Sequence, residues 1–183
     1  MRSPRKLAAG LAAGLAALLA TVLPLPAHAD PAADMTLLFS SLCVESRLSI
    51  SELVTTWTQV TPGEPPLEGP VTDREQIYIR EIKLGDTDVT LQAVAPADSA
   101  RFRNCRLSAQ FPTAAAVEIH LDRMFPEARR TEPVVQRMPI GDAQFFSITV
   151  QWIAPRPGIA AIDATVEVLG KRRKAILTAV PTP

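Results

Sequence analysis

The sequence predicts an α+β domain in which an antiparallel sheet carries helices on one face and one disulfide ties the two layers. Three observations lead there. Apolar residues recur at helical spacing in the first third of the chain and again around residues 113–125. The intervening and following segments alternate apolar with polar residues at the period of a strand. The two cysteines of the sequence, Cys43 and Cys105, fall on the apolar side of a helix and of a strand respectively.

The amino terminus reads as an export signal, residues 1–29. Arg2, Arg5 and Lys6 lead an apolar stretch from Leu7 to Leu23, followed by a proline break and Ala27-His28-Ala29. Small residues three and one positions before Asp30 are what signal peptidase accepts. A retained anchor is disfavoured by the glycine-containing, alanine-rich middle and the proline break. With the three basic residues of the leader gone, 16 of the 19 Lys and Arg face 19 Asp and Glu, a net charge of −3. A mildly acidic exported chain has no general attraction to nucleic acid. The rest, 30–183, has the length of one domain.

A first helix is expected from Asp34, as N-cap, to about Arg47, with Met35, Leu38, Phe39, Leu42 and Cys43 along its buried side. Ser49 or Ser51 caps a second, short helix through Leu53, Val54 and Trp57. The stretch TPGEPPLEGPV, residues 61–71, holds four prolines and two glycines and has to be a rigid exposed loop. Strands at 77–82 and 89–94 flank LGDTD, a hairpin turn in which Gly85 takes positive φ. From Cys105, strict alternation turns Cys105, Leu107, Ala109 and Phe111 to one face. A helix follows with Thr113 as N-cap and Val117, Leu121, Met124 and Phe125 inward, stopped by Pro126. Further strands are expected at 133–139, 144–153, 161–169 and 174–180. In the second of these, Phe146, Ile148, Val150 and Trp152 oppose Ser147, Thr149 and Gln151. Trp57 and Trp152 read as core, and Phe145 as a residue of the outer face.

SSLCVES (40–46) leaves Cys43 four roles: lipid attachment, reactive thiol, metal ligand or half of a disulfide. Leu42 and the distance from the leader argue against lipidation. Beyond the leader, only Cys43, Cys105 and His120 are available to zinc, too few for a structural site, and there is no C-x-x-C. An even pair in an exported chain, one thiol on a helix and one facing inward from a strand, reads as a Cys43–Cys105 disulfide.

KLGDTDVTLQAVAP (83–96) and PIGDAQFFSITVQWIAP (139–155) share an apolar-Gly-Asp turn, an alternating strand and a closing Ala-Pro. They suggest an internal duplication of two pseudo-symmetric α-β-β-β units, about 34–111 and 112–183. Over residues 35–111, a helix cysteine, a proline-rich loop and the inward strand cysteine of NCRLSAQF resemble the layout of small secreted or periplasmic proteobacterial proteins with one disulfide. The resemblance implies export and the disulfide, and no activity at named positions.

No motif identifies a reaction. There is no G-x-S-x-G elbow, Walker loop, dinucleotide-binding glycine pattern or H-E-x-x-H. His120 sits at the edge of an apolar stripe, a candidate polar site with no local acid–base partner in Glu118 or Asp122. Glu64, Glu68 and Asp73 surround the proline-rich loop, where paired carboxylates hydrolyse glycosides only if a cleft holds them. Lys171, Arg172, Arg173 and Lys174 concentrate positive charge at one hairpin tip. The leading expectation is a periplasmic or secreted binding or accessory protein of the cell envelope, with an unidentified protein or envelope component as partner. No cofactor, metal or membrane span after cleavage is expected. The runner-up is a periplasmic hydrolase using carboxylates or His120. A third reading is a binder of anionic surfaces through residues 171–174.

Overall fold

The structure, a computed structural model, describes residues 30–69, 71–110, 115–140 and 143–182. Residues 1–29, expected to form an export signal, and Phe111, Thr113, Gly141 and Asp142 lie outside the described residues.

Helix α1 runs Pro31–Phe39 and starts earlier than the sequence predicts. Asp30, not Asp34, is the N-cap: its Oδ1 accepts from the backbone N–H groups of Ala32 and Ala33, at 3.1 and 3.4 Å. Pro31, with φ already helical and no N–H to satisfy, favours this start. Asp34 instead lies in the first turn, where a carboxylate still complements the helix dipole. The helix does not continue regularly to Arg47. It widens into a π-helical turn, Ser40–Glu45, and ends at Arg47 and Leu48, both at positive φ. Helix α2, Ile50–Val60, is capped by Ser49, whose Oγ accepts from Glu52 N–H, and buries Leu53 and Trp57.

The strands are β1 (Glu75–Leu84), β2 (Thr87–Pro96), β3 (Asn104–Gln110), β4 (Arg129–Arg130), β5 (Val134–Ile140), β6 (Ala143–Arg156), β7 (Ile159–Leu169) and β8 (Arg172–Pro181). Helix α3, Ala115–Met124, lies between β3 and β4. Gly85 takes φ 58° in the two-residue turn joining β1 to β2, as LGDTD requires. The short β4 has no periodicity to announce it, because two arginines carry no alternation.

All pairings are antiparallel and form one eight-stranded sheet, ordered β1-β2-β3-β8-β7-β6, with β4 and β5 sharing the far side of β6. The chain's first three strands and its last five meet at the β3–β8 seam. The first Gly-Asp segment is the two-residue connection of the β1–β2 hairpin, between Leu84 and Thr87, and Ile140 pairs with Ala143 where β5 meets β6. The second set, β4 to β8, carries two strands more than an α-β-β-β unit.

Register separates two faces. Leu91, Leu107, Leu177, Ala164 and Val150 are cross-strand neighbours in one row; Ala93, Cys105, Ala179, Ile162 and Trp152 form the next. All ten are buried, and they share one core with Met35, Phe39, Leu42, Leu53, Trp57, Val117 and Leu121 of the helices. The opposite face carries Gln92, Arg106, Thr178, Asp163 and Gln151 in one row, beside Thr90, Ser108, Ile176, Thr165 and Thr149. The helices thus cover one face and leave the polar one open.

Cys43 and Cys105 form the disulfide, their Cα atoms 5.5 Å apart. Cys105 is flanked on the neighbouring strands by Ala93 and Ala179, whose small side chains let the helical turn bearing Cys43 approach the sheet. Trp57 donates its indole N–H to Pro65 O at 2.9 Å, which anchors the proline-rich loop to α2. Gly69 packs so closely on β1 that a Cβ there would lie 2.9 Å from Ile77 O and from the Tyr78 ring. Val71 bridges Gln76, so the loop runs along the outer edge of β1.

Candidate binding site at the hairpin end of the sheet

The turns β1–β2, β5–β6 and β7–β8 all fall at one end of the sheet. There the register aligns Met138, Phe145, Leu169 and Arg172 across four strands on the open face. Arg137, Phe146, Val168 and Arg173 align in the same way on the helix-bearing face. The basic tip and the aromatic pair Phe145-Phe146 therefore lie at the same end of the sheet, on strands separated by β7 alone. An open groove of about 660 Å³ is lined here by Val135, Arg137, Met138, Phe145, Phe146 and Ile148, with Pro139 and Gln144 at its end.

Apolar groups in and beside the groove are accessible. Val134, Val135 and Met138 are each more than half exposed and Leu169 is 40% exposed. Phe145, Phe146 and Ile148 are half-buried. Lys171 and Arg172 stand exposed, Gly170 taking φ 60° to make the tight turn. Lys174 is half-buried and faces Glu167 and Gln110 across its strand neighbours. Arg173 lies on the opposite face from Arg172. The four basic residues therefore do not form one patch: Arg172 and Lys174 project to the open face, Arg173 to the other, and Lys171 caps the turn. Such a surface joins apolar contact area to a cationic rim, the combination that accommodates an amphiphile with an anionic head.

The remaining candidate residues are dispersed. His120 Nε2 lies 2.9 Å from Asp30 Oδ2, its side chain 19% exposed. Asp30 thus uses one oxygen to cap α1 and the other to hold α3. Burial, the largest single influence on the Asp30 carboxyl, raises its pKa. The hydrogen bond with His120, the N–H groups of Ala33 and Ala32 and the imidazole's charge together outweigh this, holding it below the ordinary value. Glu118 and Asp122 turn away from His120, as their spacing predicts, and both pair with Arg130. The Arg130 guanidinium lies 5.5 Å from the centroid of the Trp152 ring, and Trp152 donates its indole N–H to Asp122 at 2.9 Å. Glu64, Glu68 and Asp73 are exposed along the loop. Among the described residues no group of three or more His, Cys, Asp or Glu is placed to hold a metal ion, and no helix is long and apolar enough to cross a membrane.

On the open face, Gln151 donates to Asp163 at 2.9 Å and the hydroxyls of Thr149 and Thr165 lie 2.9 Å apart. Burial pushes the Asp163 carboxyl above its ordinary pKa, only partly offset by the bond from Gln151.

Two features escaped the sequence reading. The Asp30–His120 pair joins residues ninety positions apart and no local pattern encodes it. The groove had a signal: Val134-Val135 and Phe145-Phe146 are adjacent apolar pairs, which put apolar groups on both faces of a strand instead of one.

No protein-family model, no curated protein and no solved structure matches this chain. The fold and site themselves define a two-layer α+β protein with an amphiphilic end.

Proposed function

We propose that this chain is an exported accessory protein of the cell envelope, periplasmic or secreted, that acts by binding. Its contact surface is the hairpin end of the sheet, and the surface it meets is anionic and amphiphilic. The observation that carries this reading is the registered row Met138, Phe145, Leu169 and Arg172, apolar groups leading to an exposed cation. Acyl chains would lie against Phe145 and Met138 while Lys171 and Arg172 meet phosphate or carboxylate heads. The disulfide supports the compartment, since such bonds persist where the surroundings are oxidising.

Co-sedimentation with vesicles tests it. Binding is expected to vesicles of anionic phosphatidylglycerol and not to neutral phosphatidylcholine, fading as salt screens the charges. A basic side chain near an anionic surface contributes about 1 kcal/mol, so Lys171→Ala and Arg172→Ala should each weaken partitioning about fivefold. Phe145→Ala should weaken it at every salt concentration. Equal retention on neutral vesicles, or none on anionic ones at low salt, would sink the reading.

A further inference from the structure

The two outer edges of the sheet are treated differently. The edge of β1 is lined by the chain's own proline-rich segment, through the Val71–Gln76 bridge, the close seat of Gly69 and the bond from Arg80 to Pro66 O. Strand β5 pairs with β6 on one side, and among the described residues no strand pairs with it on the other. An exposed edge is a template for another strand unless something blocks it.

Proline defines what this edge offers. Pro139 is paired in register with Gln144 but has no N–H to give β6, so it occupies a place whose backbone nitrogen points outward. Alternation then turns the backbone groups of Arg137 and Val135 outward as well, and Pro133, one residue before the strand, takes the next outward place. The outward row therefore holds two N–H donors, at Val135 and Arg137, bracketed by two prolines that have none.

This short row is complementary to itself. Set a second copy of β5 antiparallel beside the first with Gln136 opposite Gln136. Val135 then pairs with Arg137 of the second copy and Arg137 with its Val135, so that both donors and both carbonyls of each pair are used. Pro133 meets Pro139 of the second copy, and neither needs a donor. Val134 comes to lie against Met138 of the second copy, covering two side chains that are 57% and 53% exposed. Shifting the two-fold to Arg137 would set that guanidinium opposite its own copy, and like charges directly opposed on a sheet are destabilising. Shifting it to Val135 would put Arg137 against a proline and leave Val134 and Met138 without each other.

We propose that two copies of this protein associate edge to edge through β5, antiparallel about Gln136, forming one continuous sheet. The pairing is isologous, as closed two-fold dimers require. The proposal stands on the register of β5 and not on the lipid reading of the groove, and its test contains no lipid.

Sedimentation of the purified protein over a range of concentrations should show a monomer–dimer equilibrium. Val135→Pro removes one outward donor per copy without touching the bonds to β6, and should weaken dimerisation by on the order of tenfold or more. Met138→Glu should weaken it too, by placing a carboxylate against Val134. Because opposed residues of a non-hydrogen-bonded pair have Cα atoms about 4.5 Å apart, Gln136→Cys should yield a disulfide-linked dimer on mild oxidation. Glu64→Cys, exposed on the proline-rich loop, should not. A protein that sediments as a monomer throughout overturns the proposal. So does a dimer indifferent to both Val135→Pro and Met138→Glu, or cross-linking through residue 136 no faster than through residue 64. Capture of an unrelated extended peptide by β5 in place of a second copy would show as a monomer with an unchanged Gln136→Cys thiol, and counts against it equally.

Discussion

Two carboxylates have environments of opposite sign, and each predicts its own response to pH. Asp30, held below its ordinary pKa, contributes stability that is present above the pKa of an unfolded aspartate and is lost as pH falls through the folded value. Asp30→Asn should therefore lower the thermal midpoint near neutral pH, with the difference from the parent vanishing in acid. Asp163 is raised by burial, so its contribution is present below the unfolded pKa and lost as pH climbs through the folded value. Asp163→Asn keeps an acceptor for Gln151 and removes the buried charge. It should raise the neutral midpoint and bring no gain in acid. Thermal unfolding followed across pH separates the two. A parallel rise or fall of both variants at every pH would show that neither carboxyl behaves as its surroundings dictate. His120→Ala breaks the link between α1 and α3 and leaves the hairpin end untouched.

The first helical segment, its π-turn and the seam strand β3 are joined by one covalent bond. Cys43 and Cys105 are separated by 62 residues, and closing such a loop stabilises by about 4 kcal/mol in the chain-entropy model. Reduction, or Cys43→Ala with Cys105→Ala, should cost up to that amount in denaturant unfolding; a cost near zero would mean the unfolded chain already holds these elements together. The elements themselves were legible to different degrees. Strands β2, β3 and β6 announced themselves, since one face is core and the other open, and alternation is what that situation writes into a sequence. The hairpin at Gly85 was legible because only a residue free of steric penalty at positive φ makes that turn. The helix start at Asp30 was misread because two aspartates four residues apart both suit a cap, and Pro31 decides between them only once its place as first helical residue is recognised. The π-turn, which carries the buried Leu42 and Cys43, had no signal at all. Of the site, the basic tip and the outward Phe145 were visible in the sequence. That they share one end of the sheet was not, because it depends on β6 and β8 both pairing with β7.

At the scale of the molecule, the strand order places the last element in the middle. Strand β8 lies between β3 and β7 and gives Ala175, Leu177 and Ala179 to the core, all buried. Ending the chain after Gly170 should abolish cooperative unfolding rather than trim an edge, because it leaves two strands with open sides facing a gap in the core. Circular dichroism and thermal melting of that truncation check it, and a retained sharp transition would show that either half of the sheet suffices. The same arrangement sets a condition on assembly. Helices α1 and α2 and strands β1, β2 and β3 can collapse together early, and β5, β6 and β7 can form a meander, but each group lacks its inner neighbour. Non-local pairing of this kind is slow, because the loop must close before the contact rewards it. A chain that emerges amino end first carries two unfinished half-sheets until β8 has followed. Its core is then sealed by the ten residues of β8, the eighth of the eight described strands.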